Sequence, residues 1–203
     1  MFAQVIQGRT SDAEGLRAAL DRWLEEVRPG SIGWLGSTVG ITDDGTFVAV
    51  ARFESAEAAT RNADRPEQGR WWEETSRLFD GDVSFRDSED VTVDLQGDPD
   101  QAGFVQVMQG RVTDAERAKE VMAQIPGDVM AAHRPDLLGS VVIGHEDGAW
   151  TQVLYFTSEA EAREGERKEP PTELQNAMEE MGKLSVGETT FLDLREPLLQ
   201  SAS

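Results

Sequence analysis

The chain has 203 residues, of which 39 are acidic and 19 basic, and its formal net charge at pH 7 is −20. It contains no cysteine, which excludes disulfides and thiolate metal sites. The excess of acidic residues is spread over both halves, and the basic residues form no cluster in the sequence. A nucleic-acid partner is therefore not expected. Since there is neither a secretory signal nor a bilayer-spanning apolar run, we expect a cytoplasmic protein without a membrane partner.

A sequence repeat organises the chain. Residues 2–14 read FAQVIQGRTSDAE and residues 104–116 read FVQVMQGRVTDAE, with nine of thirteen positions identical. Each copy begins with alternating apolar residues that are typical of a strand. Ser11 and Thr113 then begin S/T-x-x-E sequences, which predict capping boxes at the start of a helix. Two related subdomains of about 100 residues are therefore expected.

The first copy continues as a helix, an antiparallel strand pair, a second helix and a last strand. The strand pair is predicted over 32–41 and 47–53, around an Asp-Gly hairpin turn. The second helix, over 56–79, is interrupted at Pro66, because proline has no backbone N–H to donate. Residues 83–87 complete the order β-α-β-β-α-β, which defines a ferredoxin-like unit.

The second copy follows the same order after a polar stretch at 94–102, which is predicted to be a linker. The domains are thus predicted as 1–93 and 103–195, followed by a tail at 196–203. One ferredoxin-like unit leaves a sheet face uncovered, and a second unit in the same chain can cover it. The expected fold class is α+β, with two tandem ferredoxin-like repeats packed sheet to sheet as an intrachain pseudo-dimeric barrel.

The chain resembles the antibiotic biosynthesis monooxygenase-like (ABM) domains of the dimeric α+β barrel superfamily along nearly its whole length. The shared features are the element order, the Gln-Gly-Arg strand ends, the Phe-x-Ser entry into each second helix and the proline-broken helices. Members of this superfamily include cofactor-free oxygenases of polycyclic phenols, haem-degrading enzymes and proteins without known activity. The resemblance implies a cofactor-independent monooxygenase acting on an aromatic or phenolic substrate. The alternative is a non-catalytic ligand-binding or structural module, because fold alone does not decide function.

A comparison of the two halves identifies four candidate residues in the first half. By the resemblance, Asn62 and Arg86 are candidate catalytic residues that would stabilise a substrate oxyanion. Trp71 and Trp72 would bind the substrate by stacking on its ring and excluding water. In the second half the aligned positions are Gly165, Leu192, Ala177 and Met178, respectively. The alternative is that the tryptophans belong to an apolar core stripe and that Arg86 is solvated.

Neither a metal nor a cofactor is expected. A haem-degrading relative carries an axial histidine on the second helix of its unit, whereas His133 and His145 lie outside both of those helices. We interpret both histidines as surface residues. The expected partner is a small aromatic ligand in the first repeat. Because a fused pair contains its own dimer interface, a monomer or a homodimer is expected.

Several polar residues recur in both copies. Gln4 and Ser37 of the first copy match Gln106 and Ser140 of the second. One interpretation places these residues at the pseudo-twofold interface, where matched polar groups would bond across the axis. Retention from a common ancestor explains them equally well.

Overall fold

The computed structural model describes residues 1–202, and it contains two compact units. The first unit comprises Met1–Asp90 together with the chain from Glu196 onward, and the second comprises Val91–Arg195. Each unit has one five-stranded antiparallel sheet with helices. The predicted α+β class and tandem ferredoxin-like repeats are confirmed. Each sheet keeps two edge strands, so the hydrogen bonding of the described residues does not close the strands into a barrel.

The first repeat contains four strands and three α-helices. A π-helical segment, Trp23–Val27, continues the first helix, and a 3-10 turn, Ser76–Leu78, continues the third. In chain order the elements are β1 (Phe2–Arg9), α1 (Ala13–Arg22), β2 (Trp34–Ile41), β3 (Thr46–Phe53), α2 (Ala56–Ala63), α3 (Pro66–Thr75) and β4 (Ser84–Ser88).

The second repeat follows the same plan, with one strand before it and one additional helix. The segment before Arg134 forms that helix. In chain order the elements are β5 (Val91–Leu95), β6 (Phe104–Arg111), α4 (Ala115–Ala123), α5 (Gly127–His133), β7 (Leu137–Gly144), β8 (Ala149–Phe156), α6 (Glu159–Glu166), α7 (Thr172–Leu184) and β9 (Thr190–Leu194).

The outer strand of each sheet follows the last strand of the other repeat in the chain. The first sheet has the order β10-β2-β3-β1-β4, where β10 is Leu198–Ser201, and the second has the order β5-β7-β8-β6-β9. The region predicted as a tail thus contains β10, and the region predicted as a linker begins with the last two residues of β5. Val91, Val93 and Leu95 alternate with polar residues, a strand signal that sequence reasoning missed, whereas the four residues of β10 show no such alternation.

Asp12 and Asp114 cap the first helix of each repeat, whereas the sequence predicted Ser11 and Thr113. Each aspartate side chain accepts a hydrogen bond of 2.9 Å from the backbone N–H three residues later. The predicted capping boxes are therefore wrong by one residue. Aspartate and serine are comparably good N-cap residues, so two adjacent candidates compete in both copies.

The turn and helix-break predictions are confirmed. Gly45 and Asp147 have φ angles of +82° and +57°, as the Asp-Gly hairpin turns require. Pro66 occupies the first turn of α3, where a missing N–H has no intrahelical acceptor to lose. No helix among residues 1–202 combines the length and the apolar character that a bilayer crossing requires.

Candidate ligand cavity in the first unit

A cavity of about 420 Å³ lies between the sheet and the helices of the first unit. β1 contributes Phe2, Gln4 and Ile6 to its wall, and β4 contributes Phe85 and Asp87. This period of two identifies one face of the pleated sheet as the wall. The volume falls within the range of about 300–1,000 Å³ that is typical of small-molecule sites. The feature is called the first-unit cavity below.

Four of the five tryptophans of the protein line the first-unit cavity. The ring centroid of Trp71 lies 6.4 Å from that of Trp23 and 6.1 Å from that of Trp72. Trp34 lies 5.9 Å from Trp23 in an edge-to-face arrangement. Aromatic pairs at these separations attract each other beyond the effect of buried area. The four rings therefore form one continuous aromatic wall.

Hydrogen bonds fix three of these rings. Each indole N–H has an acceptor at 2.7–2.9 Å, which orients the ring before any ligand arrives. The acceptors are the side chain of Gln68 for Trp23, the hydroxyl of Ser37 for Trp34, and the backbone carbonyl of Ala19 for Trp71.

The π-helical segment after α1 places two residues on the wall. The N–H of Arg28 bonds to the carbonyl of Trp23, five residues earlier in the chain. Trp23 and Leu24 of this segment line the cavity. Single π-helical turns are rare and are frequent at functional sites.

The mouth of the cavity lies between the α2–α3 helices and the edge strand β4. Thr60, Ala63, Gly69, Phe85 and Asp87 line the cavity and are also exposed to solvent. Phe85 is 47% exposed although its ring faces the cavity. A Cβ atom added at Gly69 would meet no other atom within 4 Å, so a larger side chain fits at this position of the rim.

Asn62, a predicted catalytic residue, lines the cavity, but its amide bonds to the backbone. Its Nδ2 donates to the carbonyl oxygens of Ile32 at 2.6 Å and Ala58 at 2.8 Å. Its Oδ1 accepts the backbone N–H of Ile32 at 3.0 Å. Both amide hydrogens are therefore used to hold the segment before β2 against α2.

Arg86, the other predicted catalytic residue, does not line the cavity. It pairs with Val5 on β1, whereas its neighbours Phe85 and Asp87 face the cavity. Successive side chains of a strand point to opposite faces, so Arg86 lies on the other face of the sheet. The structure brings Asn62 together with the predicted binding residues Trp71 and Trp72, and it separates Arg86 from them.

Thr75 contributes a buried polar atom that sequence reasoning missed. It is 1% exposed and lines the cavity near the end of α3. Its Oγ1 has no hydrogen-bond partner among the described residues. A buried hydroxyl without a partner costs about 1–3 kcal/mol. A polar ligand atom in the cavity could supply that partner.

Asp87 is a second residue that sequence reasoning missed. Among the described residues that line the cavity it is the only charged one. Gln4 Nε2 donates to Asp87 Oδ1 at 2.8 Å. Gln4 and Ser37 thus line the cavity, in contrast to the interpretation that placed them at a pseudo-twofold interface. The alternation on β4 was the available signal, because it puts Asp87 on the same face as the apolar Phe85.

The equivalent region of the second unit holds two arginines. Strand register makes Phe104 and Phe156 the counterparts of the two phenylalanines that face the first-unit cavity from β1 and β3. The guanidinium of Arg163 lies 5.2 Å from the ring centroid of Phe104, and that of Arg134 lies 5.1 Å from that of Phe156. These distances are those of cation–π contacts.

Carboxylates hold both arginines. Arg134 Nη2 lies 2.7 Å from Asp136 Oδ2, and Arg163 forms an ion pair with Asp193. Burial alone would raise the pKa of Asp136, but the hydrogen bond and charge of Arg134, a backbone hydrogen bond and the charge of Lys168 together lower it below its ordinary value. The interior of the second unit is therefore charged and internally compensated.

The histidines are half-buried, in contrast to the surface positions expected from the sequence. His145 Nε2 lies 3.0 Å from Thr151 Oγ1, and His133 ends α5. Within residues 1–202, no three His, Asp or Glu side chains are grouped as a metal site.

Solved structures with the same fold cover almost the whole chain. A protein from Fusobacterium nucleatum, provisionally named a monooxygenase, aligns with 98% of this chain and 94% of its own at a TM-score of 0.77 and 11% identity. A Lactobacillus acidophilus protein with the same provisional name aligns with 98% of this chain and 99% of its own, at a TM-score of 0.74 and 10% identity. An anthrone oxidase-like protein aligns with 98% of this chain and 92% of its own, at a TM-score of 0.68 and 14% identity.

The sequence comparisons add no family assignment. No family model and no curated relative matches the chain. Shorter solved proteins named antibiotic biosynthesis monooxygenases align with less than half of it. At these identities the likeness concerns the fold, and the resemblance predicted from the sequence is confirmed at that level. The chain has, over nearly its full length, the fold of proteins that are provisionally named monooxygenases.

Proposed function

We propose that the first-unit cavity binds a small aromatic molecule and that the protein oxidises this molecule with O2 without a cofactor. The observation that carries the proposal is the tryptophan-lined cavity of about 420 Å³ in the first unit. An apolar cavity with a few polar groups is the usual form of a small-molecule site. The names of the structural neighbours, two monooxygenases and an anthrone oxidase-like protein, suggest the reaction class.

The proposed reaction needs only the substrate and O2. A ring methylene next to a hydroxyaryl system loses one proton, and the resulting carbanion gives one electron to O2. The two radicals combine to form a C–O bond, and the peroxide anion takes up the proton that the methylene lost, which gives a hydroperoxide. The second C–H bond and the O–O bond then break, which leaves a ring carbonyl and releases one water. One CH2 group and one O2 thus become one C=O group and one H2O.

The chain would contribute binding, orientation and exclusion of water. Trp71 and Trp72 flank the aromatic ring, and the buried hydroxyl of Thr75 donates to the substrate oxygen on which charge develops. In this proposal Asn62 shapes the cavity through its backbone hydrogen bonds. Arg86 cannot stabilise an oxyanion in the cavity, because its side chain lies on the opposite face of the sheet.

A second candidate function is binding without catalysis. One observation favours it: neither candidate oxyanion donor predicted from the sequence has a free N–H in the cavity, since Asn62 bonds to the backbone and Arg86 lies on the opposite face. The two functions share the same site and differ only in O2 consumption.

Titration of the tryptophan fluorescence with anthrone under nitrogen tests binding, and an oxygen electrode tests turnover under air. We expect saturable quenching and an O2 uptake above the autoxidation rate. Gly69→Phe places a ring at the mouth and should abolish both signals. Gly182→Phe is the matched control, because Gly182 also lies on the last helix of its repeat and in open space.

The outcomes separate the two functions. Quenching without enzymatic O2 uptake would assign the protein to the binding class. A folded protein that shows no quenching with anthrone or with other polycyclic phenols would contradict the proposal. Equal effects of Gly69→Phe and Gly182→Phe would place the ligand elsewhere.

A further inference from the structure

We infer that Asp87 determines ligand specificity in the first-unit cavity, because it accepts a hydrogen bond from the hydroxyl group of a neutral aromatic ligand at the mouth. This inference rests on the proposed binding of an aromatic molecule in the first-unit cavity. It adds the residue that recognises the hydroxyl group of that molecule.

The carboxylate of Asp87 is oriented and has an accepting oxygen to spare. Gln4 Nε2 donates to Oδ1 at 2.8 Å from the neighbouring strand β1, which fixes the side chain on the cavity face. No ion pair involves Asp87 among residues 1–202. Asp87 lines the cavity and is exposed at the mouth, and the oxygen that Gln4 does not use can accept a hydrogen bond from a ligand donor.

The second unit contains the same pair in a neutralised state. Gln106 Nε2 donates to Asp193 Oδ1 at 2.9 Å, at the same position in the strand register as the pair in the first unit. There, Arg163 of α6 forms an ion pair with Asp193. Both second helices begin at a serine cap, and counting from these caps makes Thr60 the counterpart of Arg163.

Both units thus contain the Gln–Asp pair, but only in the second does an arginine pair with the aspartate among the described residues. Thr60 lines the cavity mouth in the first unit, so the space that a guanidinium occupies in the second unit is open there. Asp87 is exposed to solvent, so water hydrates its carboxylate when no ligand is bound. In the first unit, we infer, the hydroxyl group of the ligand replaces part of that hydration.

The charges around the cavity select the type of ligand. Arg86 lies on the opposite face of the sheet, and so does Arg52, because its strand neighbours Ala51 and Phe53 line the cavity. Among the described residues, Asp87 is the only charged one that lines the cavity. Arg65 lies behind the lining residues Ser31 and Asn62, to which it donates, and 3.9 Å from Glu67. An anionic ligand at the mouth would therefore be repelled by Asp87. The aromatic wall favours a flat apolar body. A neutral aromatic ring that carries a hydroxyl group meets both conditions.

Isothermal titration calorimetry at pH 7 with 2-naphthol and 2-methoxynaphthalene tests this inference. The phenolic hydroxyl stays protonated at this pH, and methylation removes its donor. We expect the wild-type protein to bind 2-naphthol about tenfold more tightly, as a hydrogen bond to a charged acceptor implies. Asp87→Ala should abolish this preference while leaving the affinity for 2-methoxynaphthalene within about twofold.

Asp82→Ala is the matched control, because Asp82 is exposed in the same unit and does not line the cavity. It should preserve the preference for 2-naphthol. Equal binding of both ligands by the wild type, or an unchanged preference in Asp87→Ala, would overturn the inference while leaving the cavity proposal intact. Stronger binding of 2-naphthylmethylamine, which is cationic at pH 7, would overturn the hydroxyl assignment. If a folded wild type binds none of the three, the proposed function itself fails.

Discussion

The two units share a strand framework and differ in what lies between the sheet and the helices. In the first unit this space is the cavity, with four tryptophans around it. In the second unit, Arg134 and Arg163 lie over the rings of Phe156 and Phe104. The counterparts of these two rings in the first unit line the cavity. Trp34 and Leu137 hold equivalent positions opposite Phe53 and Phe156, and counting back three residues makes Ser31 the counterpart of Arg134. Ser31 and Thr60, the counterpart of Arg163, both line the cavity.

This difference shows how a duplicated fold can keep one open site. The strand register fixes the framework in both copies, including the Gln–Asp pair between the first and last strands of each repeat. Two arginines with buried or half-buried carboxylate partners stabilise the second interior from within. In the first unit the corresponding positions are short hydroxyl side chains, which leave both space and, among the described residues, a carboxylate without an ion pair.

The largest expected effect concerns the charged interior of the second unit. Asp136→Asn would leave the guanidinium of Arg134 largely buried without its ionic partner, since the two side chains are only 16% and 6% exposed. We expect a loss of about 3 kcal/mol in the free energy of unfolding, measured by urea denaturation at pH 7. Asp94→Asn, an exposed position in the same unit, should change the stability by less than about 0.5 kcal/mol.

The same pair predicts a pH dependence. The folded pKa of Asp136 is below its ordinary value, so its stabilisation is complete above the unfolded pKa of about 3.9 and is lost as the pH falls through the folded value. The stability difference between wild type and Asp136→Asn should therefore shrink below about pH 4. A difference that stays constant between pH 7 and pH 3 would contradict this assignment.

Transfer of an arginine into the first unit tests the comparison directly. Thr60→Arg introduces the counterpart of Arg163, which can pair with Asp87 and occupy the mouth. We expect the affinity for 2-naphthol to fall about a hundredfold, which corresponds to about 2.7 kcal/mol. Isothermal titration calorimetry measures this loss, and circular dichroism checks the fold.

Thr60→Ala is the control, because it removes the hydroxyl without filling the mouth, and it should change the affinity by less than about threefold. An arginine variant that folds and binds 2-naphthol like the wild type would show that the mouth is not where the ligand enters or rests.

The smallest effect is expected at Thr75. Thr75→Val removes a buried hydroxyl that has no partner, so the free energy of unfolding should rise by about 1 kcal/mol. Thr151→Val in the second unit should lower it by about the same amount, because Thr151 Oγ1 lies 3.0 Å from His145 Nε2. Thermal unfolding distinguishes the two variants. Destabilisation by Thr75→Val would indicate that its hydroxyl has a partner in solution.

Much of the fold could be predicted, because the repeat and the period-two strands are local signals. The chain order of strands and helices, the Asp-Gly turns and the helix break at Pro66 all follow from the nature of single residues. The edge strand β5 carried a local signal in its alternating Val91, Val93 and Leu95, but its pairing with β7, like that of β10 with β2, depends on tertiary structure. The N-caps were shifted because two adjacent residues can each cap a helix.

The site was predicted only in part. Comparison of the two halves pointed to Trp71 and Trp72, both of which line the cavity. The comparison also pointed to Asn62, but it could not show that the Asn62 amide bonds to the backbone. The positions of its partners, the carbonyl groups of Ile32 and Ala58, are set by tertiary structure. The face of Arg86 could be read from the alternation around Phe85, which also points to Asp87.

One measurement tests the central claim most directly: titration of the five indole N–H signals with 2-naphthol by NMR, with assignments from single Trp→Phe variants. Four tryptophans line the first-unit cavity, and Trp150 lies in the second unit, where it serves as an internal reference. We predict saturable shifts for Trp71 and Trp72 with a common dissociation constant, and no shift for Trp150. Absence of shifts in a folded protein, or equal shifts for Trp150, would contradict a binding site in the first unit.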